Sequence, residues 1–355
     1  MRLFFRKKRA PELVRLDEDK RWINSQPLSL EKLRGKVVLL DFWTYSCVNC
    51  IRTLPYLKEM WEKYKDKRFL IIGIHTPEFE FEKETGNVKY AVKKHGIKYP
   101  VVSDPERRNW NNYGNNYWPR AALINAEGEV IFDHIGESGY DEIEEKIIEE
   151  LVKLKEIKIP ADSRGQGIFN PSTGDDGRGR ASDYYTQLQE IKEGKAKFID
   201  EEKKVYDKSI SKETYVGSLR NKGFNSRVVC KPGVCNFYID IGTYQKDVIN
   251  LQGQWGQNKE FAEFKGDKGW LAVKFYASEV NVVLSGIGTA EVLLNGESLN
   301  KKNAGRDIYF MGKKSYIKVE GADMYNLINN KGDYIEGILK IIPFRGMSAY
   351  AFTFG

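Results

Sequence analysis

Two cysteines separated by two residues, Cys47 and Cys50, are the side chains best suited to chemistry in this sequence. They follow an apolar run, Val37 to Trp43, of the kind that forms a buried strand, and an amphipathic stretch continues from Cys50 to Tyr64. A helix that begins at the pair would place unpaired amides and the positive end of its dipole beside the first sulfur, which favours the thiolate. We therefore predict that Cys47 is a nucleophile for thiol–disulfide exchange and that Cys50, one turn further on, releases the partner.

Three interpretations of this cysteine pair compete: a redox dithiol, half of a zinc site, and a structural disulfide. A zinc site would need two more ligands at a suitable spacing. The other cysteines and histidines, all distant in sequence, are Cys230, Cys235, His75, His95 and His134. A structural bridge is disfavoured because the pair opens a helix instead of joining distant segments. The spacing favours the redox interpretation, with no metal and no cofactor other than the Cys47–Cys50 disulfide itself.

Asp41 lies on the same predicted strand, six residues before Cys47. Among Leu39, Leu40, Phe42 and Trp43, desolvation would raise the pKa of its carboxyl group and let it shuttle the proton of Cys50. The alternative is an aspartate that only caps a turn at the end of the strand.

Trp118 and Pro119 precede a predicted strand, Ala121–Asn125. A cis peptide bond between them would expose the Trp118 backbone to an extended substrate beside Cys47. An ordinary proline at the entry to a strand is the alternative. The dithiol context favours the cis interpretation.

The length of 355 residues predicts two domains. Residues 1–21 form an N-terminal extension, residues 22–158 alternate strand-like and helix-like segments in an α/β pattern, and residues 159–206 are a linker and charged segment. The predicted elements of the α/β domain are Val37–Phe42, Cys50–Tyr64, Phe69–His75, Val88–His95, Ala121–Asn125, Val130–Ile135 and Asp141–Lys155.

Residues 207–355 consist of short alternating segments broken by Gly and Asn, which predict an antiparallel all-β jelly roll or β-sandwich. Asn295-Gly296 is a strong hairpin signal. The predicted strands are Arg227–Cys235, Leu271–Ala277, Val280–Leu284, Glu291–Leu294, Ser315–Val319, Gly337–Ile342 and Ala349–Phe354.

Cys230 and Cys235 flank a Pro-Gly turn in this second domain. A hairpin disulfide, worth about 2 kcal/mol in the chain-entropy model, is the favoured interpretation, and a second redox centre is the alternative. Aromatic residues of the same domain could line a ligand surface, although aromatics in strands mostly belong to the core. These aromatics are Trp255, Trp270, Tyr276 and Tyr350.

Composition and charge argue against some classes of function. The net charge of +7 arises from 57 basic and 50 acidic residues that are interleaved, which predicts a solvated surface and no nucleic-acid groove. The cationic N-terminus carries only three consecutive apolar residues, and no run approaches the roughly 18–20 of a membrane span, so the sequence alone predicts a cytoplasmic protein. The abundant Lys, Glu, Ile and Tyr are typical of thermophiles, whose intracellular proteins do contain disulfides.

The motifs Asp41-Phe42-Trp43, Cys47-x-x-Cys50 and Trp118-Pro119 resemble a thioredoxin fold of the TlpA type, with a central mixed sheet flanked by helices. The match narrows to the soluble part of the DipZ family, whose C-terminal domain is a β-sandwich of the carbohydrate-binding-module type. The segments that carry this resemblance are 43–50, 75–79, 113–119, 134–137, 213–217, 251–255, 280–284 and 349–355.

The resemblance implies that Cys47 attacks, Cys50 resolves, Asp41 carries the proton and Pro119 is the cis-proline. It also implies protein disulfides as substrates and a thiol electron donor, either a CcdA-like membrane protein or a thioredoxin system. Extracytoplasmic placement and a carbohydrate ligand on the sandwich follow only by analogy. Residues flanking the dithiol and the proline are expected to contact the substrate, namely Trp43, Tyr45, Ser46 and Trp118.

The favoured activity is therefore a thiol–disulfide oxidoreductase that acts as a reductant, because the family lies on an electron-delivery path. A thiol peroxidase is one alternative, but it would need a Thr and an Arg placed around the cysteine. A glycan-binding or protein-binding module with a merely structural dithiol is the other.

Overall fold

A computed structural model describes residues 8–14, 19–157, 209–224, 228–231, 234–237 and 242–355. The chain divides into two units, Met1–Asp176 and Gly177–Gly355. The predicted linker at 159–206 lies outside the described residues.

A seven-stranded mixed sheet forms the centre of the first unit. Its elements are β1 (Lys8–Arg9), β2 (Trp22–Ile23), β3 (Val37–Trp43), α1 (Val48–Tyr64), β4 (Phe69–His75), α2 (Thr85–Lys94), β5 (Val101–Ser103), α3 (Arg108–Asn112), β6 (Arg120–Ile124), β7 (Glu129–Ile135) and α4 (Tyr140–Lys153), with short 3-10 helices at Asp19–Arg21 and Glu80–Lys83. The strand order is β1-β7-β6-β3-β4-β5-β2.

Strand β3 lies in the middle of this sheet, parallel to β4 and antiparallel to β6. It is buried at all seven positions, because both faces of the sheet are covered. The side chains of Leu39 and Trp43 pack in one hydrophobic core together with residues of α1 and α4. Those of Leu40 and Phe42 pack in a second core. The predicted thioredoxin-like fold is confirmed.

The N-terminal boundary at residue 22 is wrong. Strand β1 pairs with β7, so that Lys8 lies opposite Val130. Ala10 and Leu13 are buried in the core on that side of the sheet. The α/β domain therefore includes residues 8–14, because their backbone and apolar side chains complete the sheet edge and its core.

The second unit is all-β in the described part of the chain. Its strands are β8 (Thr214–Tyr215), β9 (Val228–Lys231), β10 (Val234–Phe237), β11 (Ile249–Gln257), β12 (Ala262–Phe264), β13 (Trp270–Ala277), β14 (Glu279–Ser285), β15 (Gly288–Leu294), β16 (Glu297–Ser298), β17 (Ile308–Met311), β18 (Lys314–Val319), β19 (Asp323–Asn329), β20 (Ile335–Ile342) and β21 (Ser348–Phe354). Their main path runs β17-β18-β15-β20-β13-β11-β12-β21-β14-β19.

Strand β11 joins the two layers of this unit. Its first half, Ile249 to Gln252, pairs with β13, and its last residues pair with β12. Gly253 lies at the change of partner with φ +95°, and a Cβ there would lie 2.5 Å from the Lys268 carbonyl oxygen, so glycine is required. Both layers contribute to one core, which confirms the β-sandwich.

The predicted Asn295-Gly296 hairpin is also confirmed. The two residues have φ values of 54° and 85° and connect β15 to β16, as expected for a two-residue turn.

Candidate active site

The dithiol lies where the central strand turns into the first helix. Strand β3 ends at Trp43 and α1 begins at Val48, so Cys47 is the N-cap residue, with extended backbone angles of φ −92° and ψ 116°. Cys47 is partly exposed and Cys50 is fully buried, and both are free thiols in this structure. A partly exposed sulfur thus precedes a buried one by a single helical turn.

Asp41 lies in the sheet beneath the dithiol and is 2% exposed. It pairs with Gly73 on one side and Ala121 on the other, and its Oδ2 atom has no hydrogen-bond partner. Burial raises the pKa of its carboxyl group to about 7. Burial, a hydrogen bond with Cys47 and the nearby charges of Cys47 and Asp41 raise the pKa of Cys50. Asp41 is therefore able to hold or release a proton near neutral pH.

The Trp118–Pro119 peptide bond is cis. The half-buried Trp118 ring packs against Trp110, with 4.3 Å between ring centroids, and against the core that contains Cys50. The Arg107 guanidinium lies 5.2 Å from the centroid of the Trp118 ring and donates a 2.6 Å hydrogen bond to the Pro77 carbonyl oxygen. Arg107 thus ties the proline loop to the segment that follows β4.

Three of the four residues expected to contact substrate do not have accessible side chains. Trp43, Tyr45 and Ser46 are 0%, 2% and 1% exposed. Contact between these three residues and a substrate would therefore involve their backbone atoms, and that contact stays a prediction. Trp118 remains partly exposed, and its contact with substrate stays a prediction.

The loop before Cys47 is held by a residue that sequence reasoning missed. Glu82 lies in the short helix after β4 and is fully buried. Its Oε1 atom accepts hydrogen bonds from the Thr44 hydroxyl and the Ser46 amide. This residue was missed because it lies in an acid-rich stretch, Glu78 to Glu84, and such a stretch is typical of a solvated surface segment.

The second cysteine pair is described only in part. Cys235 is 9% exposed and disulfide-bonded, and its backbone lies opposite Cys230 in the β9–β10 hairpin. Among the aromatics of the sandwich, Trp255 is 0% exposed and belongs to the core, as the favoured interpretation of these aromatics predicted. Trp270 and Tyr350 are also buried, whereas Tyr276 is partly exposed.

Two features are absent from the described ranges. No group of three or more His, Cys, Asp or Glu residues placed to bind a metal ion occurs there. Within the same ranges, no helix combines the length and the hydropathy needed to span a bilayer.

The mixed sheet, the dithiol at the start of α1 and the cis-proline loop define a thioredoxin-fold protein with a cysteine pair at the usual position for thiol–disulfide exchange. Comparisons agree with this class. Residues 8–152 match the family model described as Redoxin, and residues 211–355 match the model described as Thioredoxin like C-terminal domain.

The thiol-disulfide oxidoreductase ResA of Bacillus anthracis is 32% identical to this chain over 137 residues, which are 39% of this chain and 73% of ResA. The chain belongs to this family of thiol–disulfide oxidoreductases. Protein DipZ of Mycobacterium bovis is 29% identical over 346 residues, or 94% of this chain and 41% of DipZ. The resemblance to DipZ is confirmed, and the chain spans about two-fifths of the length of that relative.

A solved structure of a putative thiol:disulfide interchange protein DsbE from Chlorobium tepidum is also similar. The match covers 41% of this chain and 96% of that chain, at 24% identity and a TM-score of 0.36.

Proposed function

We propose that this chain catalyses thiol–disulfide exchange with protein substrates through Cys47 and Cys50 and acts as a reductant. The observation that carries the proposal is the pairing of a partly exposed Cys47 with a buried Cys50 above a buried Asp41. An accessible sulfur suits attack on an incoming disulfide, and a shielded one suits an intramolecular displacement.

The reaction proceeds in two displacements. The Cys47 thiolate attacks one sulfur of the substrate disulfide, that disulfide breaks, and the other substrate sulfur leaves as a thiolate. Asp41 then takes the proton of Cys50, and the Cys50 thiolate attacks the Cys47 sulfur of the mixed disulfide. The Cys47–Cys50 bond forms and the second substrate sulfur leaves, so the substrate gains two electrons and the dithiol loses two.

The substrate is a polypeptide that lies across the cis-proline loop. The exposed Tyr117 and the half-buried Trp118 offer an apolar surface there, and the backbone at Trp118 offers groups for pairing with an extended chain. A thiol donor, either a CcdA-like membrane protein or a thioredoxin system, restores the dithiol after each turnover.

The sandwich selects or presents the partner, and we propose a carbohydrate as its ligand. Support comes from two neighbouring tyrosines: the ring centroids of Tyr276, in β13, and Tyr334, immediately before β20, lie 5.7 Å apart, and Tyr334 is 46% exposed. Exposed aromatic rings offer a flat apolar surface with a polar hydroxyl at its edge, which suits contact with a sugar ring. Glycan-array binding by the full chain, compared with Tyr334→Ala, tests this part: the proposal expects loss of binding in the variant.

A thiol peroxidase is not favoured. Thr44, the threonine three residues before Cys47, donates its hydroxyl hydrogen to Glu82. The hydroxyl hydrogen is therefore already bonded to a buried carboxylate.

The decisive experiment compares insulin reduction by the wild type, Cys47→Ser and Cys50→Ser, with dithiothreitol as donor. Cys47→Ser is expected to be inactive, and Cys50→Ser is expected to accumulate a mixed disulfide that non-reducing electrophoresis detects. Equal activity of wild type and Cys47→Ser would exclude the function. A midpoint potential of about −270 mV indicates a reductase, whereas a value of about −120 mV indicates an oxidase.

A further inference from the structure

Glu82 joins two segments beside the dithiol through hydrogen bonds to both carboxylate oxygens. Oε1 accepts from the Thr44 hydroxyl and, at 3.2 Å, from the Ser46 amide. Oε2 accepts from the amides of Glu78 and Phe79, at 2.6 and 2.9 Å. The carboxylate therefore connects the loop before Cys47 to the loop after β4, with four neutral donors around a fully buried group.

Further contacts join the same two segments. The Thr76 amide donates a 3.0 Å hydrogen bond to the Trp43 carbonyl oxygen. The Tyr45 ring stacks on His75, with 5.3 Å between centroids and 24° between planes. The loop that leads to Cys47 is thus fixed on two sides, and Glu82 supplies the only charged group that bonds to Thr44 and Ser46 among the described hydrogen bonds.

The charge state of Glu82 depends on pH. Burial raises the pKa of its carboxyl group to about 7, the hydrogen bond from Thr44 opposes that rise, and the charge of Glu78 adds to it. Other titratable or charged groups near the same two segments include the His75 imidazole, the thiol of Cys47 and the Arg107 guanidinium, which bonds to the Pro77 carbonyl oxygen. Burial lowers the pKa of His75 to about 3, so this ring is neutral at physiological pH.

We propose that Glu82 is a positioning residue for Cys47 that also makes the Cys47–Cys50 pair a stronger reductant. Its hydrogen bonds fix the loop, and its negative charge, bonded to the amide of the residue that precedes Cys47, repels negative charge on the reduced pair. A protein whose reduced form is stabilised is an oxidant, so repulsion that destabilises the reduced form shifts the pair toward reduction of its partners. The inference deepens the proposed function and rests on it for its biological meaning.

The test is the midpoint potential of the full chain in a dithiothreitol redox buffer at pH 8 and pH 6, for wild type and Glu82→Gln. At pH 8 the equilibrium between disulfide and dithiol is expected to lie about tenfold further toward the dithiol in Glu82→Gln than in the wild type. This corresponds to a difference of about 30 mV in midpoint potential. At pH 6 the difference should fall below about twofold, because wild-type Glu82 is then protonated. Equal potentials at pH 8, or the same difference at both pH values, would overturn the inference.

Glu144→Gln is the matched control. Glu144 is also a buried carboxylate, at 7% exposure, but its partners Lys63 and Tyr64 lie at the far end of α1. That end is about 24 Å from the dithiol at 1.5 Å per residue. The control should leave the potential unchanged at both pH values, and a shift like that of Glu82→Gln would count against a specific role of Glu82.

Thr44→Val keeps the inference testable if Glu82→Gln does not fold, as judged by circular dichroism. This variant removes a donor that stabilises ionised Glu82 and leaves the carboxyl group in place. The midpoint potential plotted against pH changes slope near the pKa of Glu82. This change of slope is expected at a higher pH in Thr44→Val, and an unchanged position would contradict the proposal. Since these potentials need no protein substrate, a failure to reduce insulin would refute the proposed function and leave this result separately interpretable.

Discussion

Asp41 and Cys50 are buried in one core, the first on the central strand β3 and the second in the first turn of α1. Burial raises the pKa of both groups, and the charge of Asp41 contributes to the rise at Cys50. Ionising Cys50 beside a charged carboxylate is unfavourable. The two groups are therefore coupled, and Cys50 loses its proton most readily when Asp41 receives it.

Replacing Asp41 with Asn should slow the step in which Cys50 resolves the mixed disulfide. We expect a loss of about 100-fold near pH 7, the usual contribution of a positioned general base. Stopped-flow measurement of mixed-disulfide decay provides the rate. The control is Asp323→Asn, which replaces a buried aspartate of the sandwich. Its mixed disulfide should decay at the wild-type rate. A decay rate in Asp41→Asn within twofold of wild type would exclude the proton-carrier role.

The same substitution should stabilise the folded protein at alkaline pH. The carboxyl group has a pKa of 3.8 as a reference and about 7 when folded, so the native state binds the proton more tightly and loses stability as pH rises between these values. Above about pH 7 the full penalty is present, and the rise corresponds to at most about 4 kcal/mol. Urea unfolding at pH 8 and pH 4.5 checks this prediction. Asp41→Asn should be more stable than wild type at pH 8, with a difference that shrinks at pH 4.5; a less stable variant at pH 8 would contradict it.

Arg107 should affect substrate binding more than chemistry. Its guanidinium packs on Trp118 and bonds to the Pro77 carbonyl oxygen, so Arg107→Ala removes a support of the cis-proline loop. We expect KM for insulin to rise about fivefold, equivalent to roughly 1 kcal/mol for a cation–π contact, with kcat nearly unchanged. The exposed neighbour Arg108 provides the control substitution, Arg108→Ala. Equal KM values for the two variants would show that the guanidinium has no such role.

The sequence predicted the framework of the first unit because its strands are long apolar runs. Val37–Phe42 and Phe69–His75 were recovered within one residue, since buried parallel strands need apolar side chains at nearly every position. Strand β5, with three residues, and helix α3, with five, are too short for periodicity to detect. Strand β19 has seven residues and was missed for a different reason: polar Asp323 and Asn326 interrupt its apolar pattern, although both side chains are buried in the fold.

The site was predictable where local spacing determines geometry and not where distant segments meet. The Cys47–Cys50 spacing and the position of Asp41 on the strand led directly to the dithiol and the carboxyl group beneath it. Trp43 is buried as the last residue of the apolar strand β3, whereas Tyr45 is buried against His75 of the neighbouring strand, a contact that no local pattern reveals. Glu82 became visible only once the fold placed its carboxylate against Ser46, 36 residues earlier in the chain.

The hairpin cysteine Cys235 should matter for stability and not for exchange. Its side chain is 9% exposed and disulfide-bonded, which suits a structural bridge, because labile disulfides tend to be exposed. Cys235→Ala should lower the free energy of unfolding by about 2 kcal/mol, the chain-entropy value for so short a loop. Insulin reduction by the variant should match that of the wild type when both are folded. A variant of unchanged stability that lost activity would instead identify the hairpin as a second redox centre that exchanges electrons with the Cys47–Cys50 pair.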